Sequence, residues 1–220
     1  MEDLKLVKAL RDMAAPECRI STGLMVSWKQ YYCFATSQPA YWEKTSENKT
    51  IIHCIGIGGG LEGNEGFIEA VQREALEESS AAIRIMEPPA KKTLYWGHNQ
   101  DPTWMVGPWS DSEVSPLLVW QREWIVRKPN QEPYLRKWFT PVFWAEFLAE
   151  PQASMENPAI IFVPKNLFPS LLHPMSYEQA EQEGIVVKGM GIPPSDKMVI
   201  GLSGSAYYTA QVWDKWLKVN

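Results

Sequence analysis

The chain has 220 residues, is 45% hydrophobic and carries a formal net charge of −5. That length is enough to bury one good core with room for extensions, and the interspersed charge, without a basic tract, excludes a general surface for duplex nucleic acid. Its three cysteines, Cys18, Cys33 and Cys54, form no CxxC pair, which excludes a thiolate zinc site of the usual spacing and fits reduced thiols in a cytoplasmic protein.

The N-terminal MEDLKLVKALRDMAAPE is charged throughout, unlike a signal peptide or a membrane anchor. Leu4, Val7, Leu10 and Met13 recur at helical spacing and predict a short amphipathic helix. GLMVSWKQYYCFA, within residues 19–36, reads as a strand, and the polar SQPAYWEKTSENKT as the loop after it. TIIHCIGI is a β-branched run and predicts a buried strand over about 51–57. A glycine-rich turn follows, then a helix over about Glu65–Ser79, with Phe67, Ile68, Val71 and Ala75 on its apolar face. AAIRIME reads as the next strand, and 88–116, rich in Pro, Gly, Trp and Asp, as mostly loop.

PLLVWQREWIVRK and RKWFTPVFWAEFLAE predict a long hairpin closed by KPNQEPYL. After Pro151, VPKNLFPSLL, SYEQAEQEG and SAYYTAQVWDKWLKVN read as helical segments. The expectation is a mixed sheet flanked by helices, built as a single unit. Its core covers about 19–150, and 151–220 packs on it as an extension. Pro158, Pro164, Pro169, Pro174, Pro193 and Pro194 break that extension into short apolar clusters that need a partner. The expected partner is the aromatic surface of 117–149; a homodimer is the alternative use of that surface. Eleven tryptophans serve either as buried bulk or as stacking platforms for a ring.

The chemistry concentrates between Gly59 and Ser80, in GGLEGNEGFIEAVQREALEESS. Glu74, Glu77 and Glu78 stand at i, i+3 and i+4, so a helix puts them on one face. Carboxylates that close repel one another unless a positive charge lies between them. A hard divalent cation such as Mg²⁺ meets that need through oxygen ligands and also bridges to phosphates. Arg73 can reach Glu77 or Glu69 one turn away. Gly58, Gly59 and Gly60 permit unusual backbone angles and close approach, and a carbonyl in that turn could ligate a metal. Glu65 lies near the helix start, where the helix dipole favours it, and within reach of Arg73.

This spacing resembles the Nudix signature: glycine, five residues, glutamate, seven residues, then Arg-Glu-apolar-x-Glu-Glu-x-Gly-apolar. The matching residues are Gly59, Glu65, Arg73, Glu74, Glu77 and Glu78, followed by apolar Ala81; Ser80 stands where the family has glycine. Six fixed matches arise by chance at roughly one in ten million per start point, which sets the signature above the ordinary reading of EALEE as a solvated helix face. If position 80 needs a left-handed backbone, serine there costs about 1 kcal/mol but removes no ligand.

The resemblance implies an α/β/α sandwich with a mixed sheet, and hydrolysis of a nucleoside diphosphate linked to another moiety. It implies Mg²⁺ or Mn²⁺ held by Glu74, Glu77 and Glu78, with the Gly59 carbonyl as a further ligand. Arg73 and Glu65 are then positioning groups. The proton acceptor is either a helix glutamate, Glu74 or Glu77, or a glutamate from a later loop, for which Glu132 is the candidate. Trp96, Trp104, Trp109, Arg122 and Arg127 are candidates for holding a base and phosphate. The partner is then a small nucleotide derivative, with no role for duplex nucleic acid or membrane.

Three rivals remain in view. Gly58-x-Gly60-x-x-Gly63 matches a dinucleotide-binding turn, with Glu87 downstream for a ribose, but Glu62 and Glu65 would crowd a pyrophosphate there. A Nudix-fold regulator that binds a nucleotide without cleaving it would not need intact glutamates. A diphosphate isomerase of the same family needs a cysteine and a glutamate that no motif here places. His53, His98 and His173 share no spacing, and no GK[ST] P-loop exists.

Overall fold

The computed structural model describes residues 19–89, 91–105, 114–127, 132–189, 195 and 197–217. The expected N-terminal helix, Cys18, Trp109, Pro193 and Pro194 lie outside the described residues.

The first apolar segment folds as more than one strand. β1 (Arg19–Ile20) precedes β2 (Gly23–Trp28) and β3 (Tyr31–Ala35), and β2 and β3 form an antiparallel hairpin. The reversal at Lys29, whose φ is 54°, separates two runs that sequence alone reads as continuous. β4 (Glu43–Lys44) pairs with β5 (Thr50–Ile55), the strand expected before the glycine turn. α1 (Phe67–Ser79) begins two residues later than expected. The backbone N–H of its N-cap, Gly66, donates to Glu69 Oε2 at 2.9 Å. Glu69 therefore caps the helix rather than pairing with Arg73.

β6 (Ile83–Met86) follows as expected. The stretch 88–116 is less loop-like than expected: β7 (Thr93–Trp96) and β8 (Thr103–Met105) pair antiparallel. β9 (Leu118–Val126) and β10 (Tyr134–Phe147) pair antiparallel over nine register pairs from Tyr134↔Val126 to Val142↔Leu118, as the long-hairpin expectation required.

Downstream, VPKNLFPSLL is not a helix. Val163 and Pro164 end β11 (Ala159–Pro164), and only Phe168–Leu172 turns, as a 3-10 helix. β12 (Met175–Ser176), α2 (Tyr177–Gln182), β13 (Val186–Gly189), β14 (Met198–Ser203) and α3 (Gly204–Val212) complete the order, followed by a π-helical turn at Trp213–Leu217.

The strands join one mixed sheet in the order β12-β14-β5-β3-β2-β10-β9-β7-β8, with the other strands paired off that path. β2 runs parallel to β10, β14 to β5, and β7 to β9; the remaining neighbours along that path are antiparallel. Residues beyond 151 supply strands to this sheet, because β11 pairs with β3 and β14 with β5.

Period-two alternation sorts side chains to two cores. Leu24, Val26, Cys33, Val119, Phe139 and Phe143 meet Phe67, Val71 and Ala75 of α1 on one face. Met25, Tyr32, Phe34, Leu118, Trp120 and Val142 meet Ala206, Ala210 and Trp213 on the other. Helices on both faces of a mixed sheet make an α/β/α arrangement, as expected. Trp213 stacks on Trp144 with centroids 5.7 Å apart and Tyr208 packs on Trp120 at 4.6 Å, so the C-terminal segment packs on part of the aromatic face of β9 and β10. No described helix is long and apolar enough to cross a membrane.

The dinucleotide-binding alternative needs a parallel β-α-β unit around the glycine turn. The strand after α1 is β6, which pairs antiparallel with β10 and not with β5. That topology removes the alternative.

Candidate active site

β5 delivers the chain into the glycine turn, and α1 brings the glutamates back beside it. Gly58 has φ 144°, and a Cβ there would lie 2.3 Å from the Thr22 carbonyl oxygen. Only glycine fits between β2 and the helix at that point. A Cβ on Gly59 would lie 2.2 Å from Glu74 Oε1, so the turn passes directly against that carboxylate. The Gly59 carbonyl accepts from the Thr22 N–H at 2.7 Å, which leaves one lone pair for another ligand.

Arg73 is the hub. Its Nε and Nη2 donate to Glu65 at 3.2 and 2.8 Å, its Nη1 to Glu74 and Glu77 at 2.9 Å each, and its Nη2 also to the Gly60 carbonyl at 3.0 Å. One guanidinium with five donors thus ties the turn to three signature glutamates. Its hydrogen bonds hold the Glu65 carboxyl below its ordinary range.

Glu78 faces elsewhere. It accepts from the Gly58 N–H at 3.0 Å and from the Asn157 side chain. Burial, with Glu74 and Glu156 as neighbouring like charges, pushes it up to about 7. Burial also raises Glu74, against the pull of Arg73, and Glu77 and Glu156 push the same way. Glu77 is the exposed member, its side chain 49% accessible.

Among the described residues, no three His, Cys, Asp or Glu side chains already converge as a ligand group. Arg73 draws Glu74 and Glu77 to itself while Glu78 turns to Gly58. The donor set nevertheless suits a hard cation. All its donors are oxygens, and the buried Glu74 and half-buried Glu78 stand beside like charge with only part of it balanced.

A later glutamate other than Glu132, Glu156, bears on this cluster. Both are exposed, but it is the charge of Glu156 that raises Glu74 and Glu78. Residues 148–157 reach the helix end because the Gln152 N–H donates to the Ser79 carbonyl at 2.8 Å. Asn157 and Glu156 lie far along the chain from α1, and no spacing rule connects them to it. At the same end Ser80 adopts φ 54° and ψ 21°, the left-handed geometry for which glycine is suited.

On its other side the glycine turn borders a cleft of about 1270 Å³ on the α3 face of the sheet, lined by Gly58–Gly60, Trp96, Trp120, Arg122, Trp124, Trp138 and the start of α3. Of the residues expected to hold a base and phosphate, Trp96 and Arg122 line it. Trp104 instead packs on Trp216, and Arg127 is exposed at the end of β9. Trp124 and Trp138, which β9 and β10 carry on the same face, also line the cleft. His98 lines the cleft, while His53 sits 3.8 Å from Glu43 and His173 is exposed. Cys33 and Cys54 are buried free thiols in the two cores.

No protein-family model and no curated protein sequence matches this chain. Solved structures of similar shape include a Nudix-family hydrolase from Clostridium perfringens, with 15% identity over 69% of this chain and 85% of that one, at a TM-score of 0.40. A MutT protein from Bacillus halodurans has 16% identity over 84% and 88%, at 0.37. A Nudix hydrolase from Nitrosomonas europaea has 13% identity over 84% and 78%, also at 0.37. Likeness at that level carries no argument about activity or substrate. The family reading therefore rests on Gly59, Glu65, Arg73, Glu74, Glu77 and Glu78, and in these residues the chain resembles the Nudix hydrolases.

Proposed function

We propose that this chain is a metal-dependent pyrophosphohydrolase that cleaves the diphosphate of a nucleoside diphosphate linked to another group. One observation carries the reading: Arg73 gathers Glu65, Glu74 and Glu77 of the signature and the Gly60 carbonyl around itself, beside a glycine turn that borders a cleft wide enough for a nucleotide.

Glu74, Glu77 and Glu78 would hold Mg²⁺ or Mn²⁺, with the free lone pair of the Gly59 carbonyl as a further ligand. Bound there, the metal neutralises phosphate charge and lowers the pKa of a coordinated water. The chain's own residues do the rest. Arg73 fixes the glycine turn and holds Glu65, Glu74 and Glu77 beside it, so little of the turn needs reordering when Glu74 and Glu77 exchange Arg73 for the metal. Asn157 and the Gly58 N–H orient Glu78. Glu156, outside the Arg73 network and with a charge that raises Glu74 and Glu78, would take the proton of the attacking water.

A phosphate-release screen tests this, run with Mg²⁺ and Mn²⁺ over nucleoside diphosphate sugars, dinucleoside polyphosphates, oxidised nucleotides, ADP-ribose and NADH. Metal-dependent cleavage of any diphosphate in that set supports the reading. Binding of these compounds without turnover would make the chain a nucleotide-binding regulator instead.

A further inference from the structure

The tryptophans of the cleft form a continuous row across β7, β9 and β10. Trp96 meets Tyr208 with centroids 5.7 Å apart, Tyr208 meets Trp120 at 4.6 Å, Trp120 meets Trp138 at 6.4 Å, and Trp138 meets Trp124 at 5.6 Å. The register explains the row. Trp96 lies opposite Trp120, and Trp138 opposite Arg122, so all of them project from one face of the sheet.

The row is uneven in exposure. Trp120, in the middle, is 7% exposed and cannot offer a face to a ligand. Trp96 at one end, and Trp138 with Trp124 at the other, are half-buried and line the cleft. Between the ends sits Arg122, its guanidinium 4.3 Å from the centre of the Tyr208 ring. Arg122 is exposed and has no acidic partner among the described residues. The far platform is also held rigid. Trp138 Nε1 donates to Ser21 Oγ at 2.6 Å, and Ser21 is itself bonded to Thr140 at 2.7 Å. A fixed ring loses little freedom when a ligand stacks on it.

One nucleobase covers one platform. Two half-buried platforms that line the cleft, separated by a buried ring and by Arg122, are more than a nucleotide joined to a bare sugar would use. We propose that the cleft is built for a substrate with two stackable rings flanking its phosphates, that is, a dinucleotide. One ring stacks on Trp96, the other on Trp138 and Trp124, and Arg122 faces the phosphates between them. This rests on the hydrolase reading for the reaction but not for the binding, so the two are tested apart.

The test compares diadenosine diphosphate with ADP-ribose, which differ by the second base alone. Binding to the full-length protein is measured by calorimetry in the presence of chelator, where no turnover occurs. Stacking of one base on an aromatic platform predicts that diadenosine diphosphate binds about tenfold or more tightly than ADP-ribose. Trp96→Leu and Trp124→Leu should each weaken diadenosine diphosphate by a similar factor, while only one of them weakens ADP-ribose. Affinities within threefold in the wild-type protein, no binding of either compound at millimolar concentration, or a preference that neither substitution lowers, would overturn the proposal. Equal binding with metal-dependent cleavage of ADP-ribose would leave the hydrolase standing. A strong preference for diadenosine diphosphate without any turnover would leave the cleft standing and remove the hydrolase.

Discussion

Gly59→Ala isolates the point where the glycine turn touches the Glu74 carboxylate. The added Cβ would lie 2.2 Å from Glu74 Oε1, 2.6 Å from its Cδ and 2.9 Å from its Oε2. Ordinary contacts of this kind lie near 3.5 Å, so the carboxylate must retreat by about 1 Å. Gly59 has no positive φ, so alanine suits its backbone. The obstruction is the free end of a side chain, which can move. The fold should therefore survive with little change in melting temperature, while Glu74 leaves its place and its 2.9 Å bond to Arg73 is disturbed. A displacement of about 1 Å in a catalytic group can cost on the order of a hundredfold in rate. Steady-state kcat/KM with Mg²⁺, read beside a thermal melt, gives the answer. Gly60→Ala is the companion variant: a Cβ there meets nothing within 4 Å, and its loss should be far smaller. Near-wild-type turnover in Gly59→Ala would refute the placement of Glu74 at the reacting centre.

Three further outcomes follow from the same geometry. Ser80→Gly relieves an exposed left-handed serine and should raise stability by up to about 1 kcal/mol; a fall in melting temperature would contradict the strain assigned there. In chelator, Glu78 should make stability decline as pH rises from the ordinary carboxylate value of 4.5 to about 7. Its folded-state affinity for the proton is raised, so the folded chain keeps a proton that the unfolded chain has lost. Glu78→Gln should remove that part of the slope in denaturant titrations, and an unchanged slope would place Glu78 in solvent. Expression of residues 1–151 alone should give an insoluble or non-cooperative chain, because it strips β11 from β3 and β14 from β5; a soluble, fully active fragment would make the C-terminal segment dispensable.

The parts of this molecule that are legible in the sequence are those fixed by local spacing. α1 and its glutamate face, the buried β5 and the β9–β10 hairpin all follow from period and turn chemistry within a few residues. The reading failed where long-range pairing overrides local pattern. The reversal at Lys29 splits one apolar run into two strands through a left-handed residue that its composition does not mark. VPKNLFPSLL carries apolar residues at mixed spacing, and its first two residues become strand because β3 offers an unpaired edge to them. β7 exists because β9 supplies a parallel neighbour. The site divides along the same line. Gly59, Glu65, Arg73, Glu74, Glu77 and Glu78 are close in sequence, and their spacing alone marks them. Glu156 and Asn157 reach Glu78 only through the packing of residues 148–157 on the helix end, so local spacing could not separate Glu156 from Glu132.

Turnover as a function of metal, compared between the wild-type chain and Glu77→Gln and Glu78→Gln, tests the central claim most directly. Loss of one oxygen ligand weakens both charge neutralisation and water activation, and such losses are worth a few kcal/mol in the barrier. The account predicts diphosphate hydrolysis that requires Mg²⁺ or Mn²⁺, stops with chelator, and falls at least about a hundredfold in each variant while the melting transition persists. Hydrolysis that survives chelator, or near-normal rates in both variants at saturating metal, would contradict it.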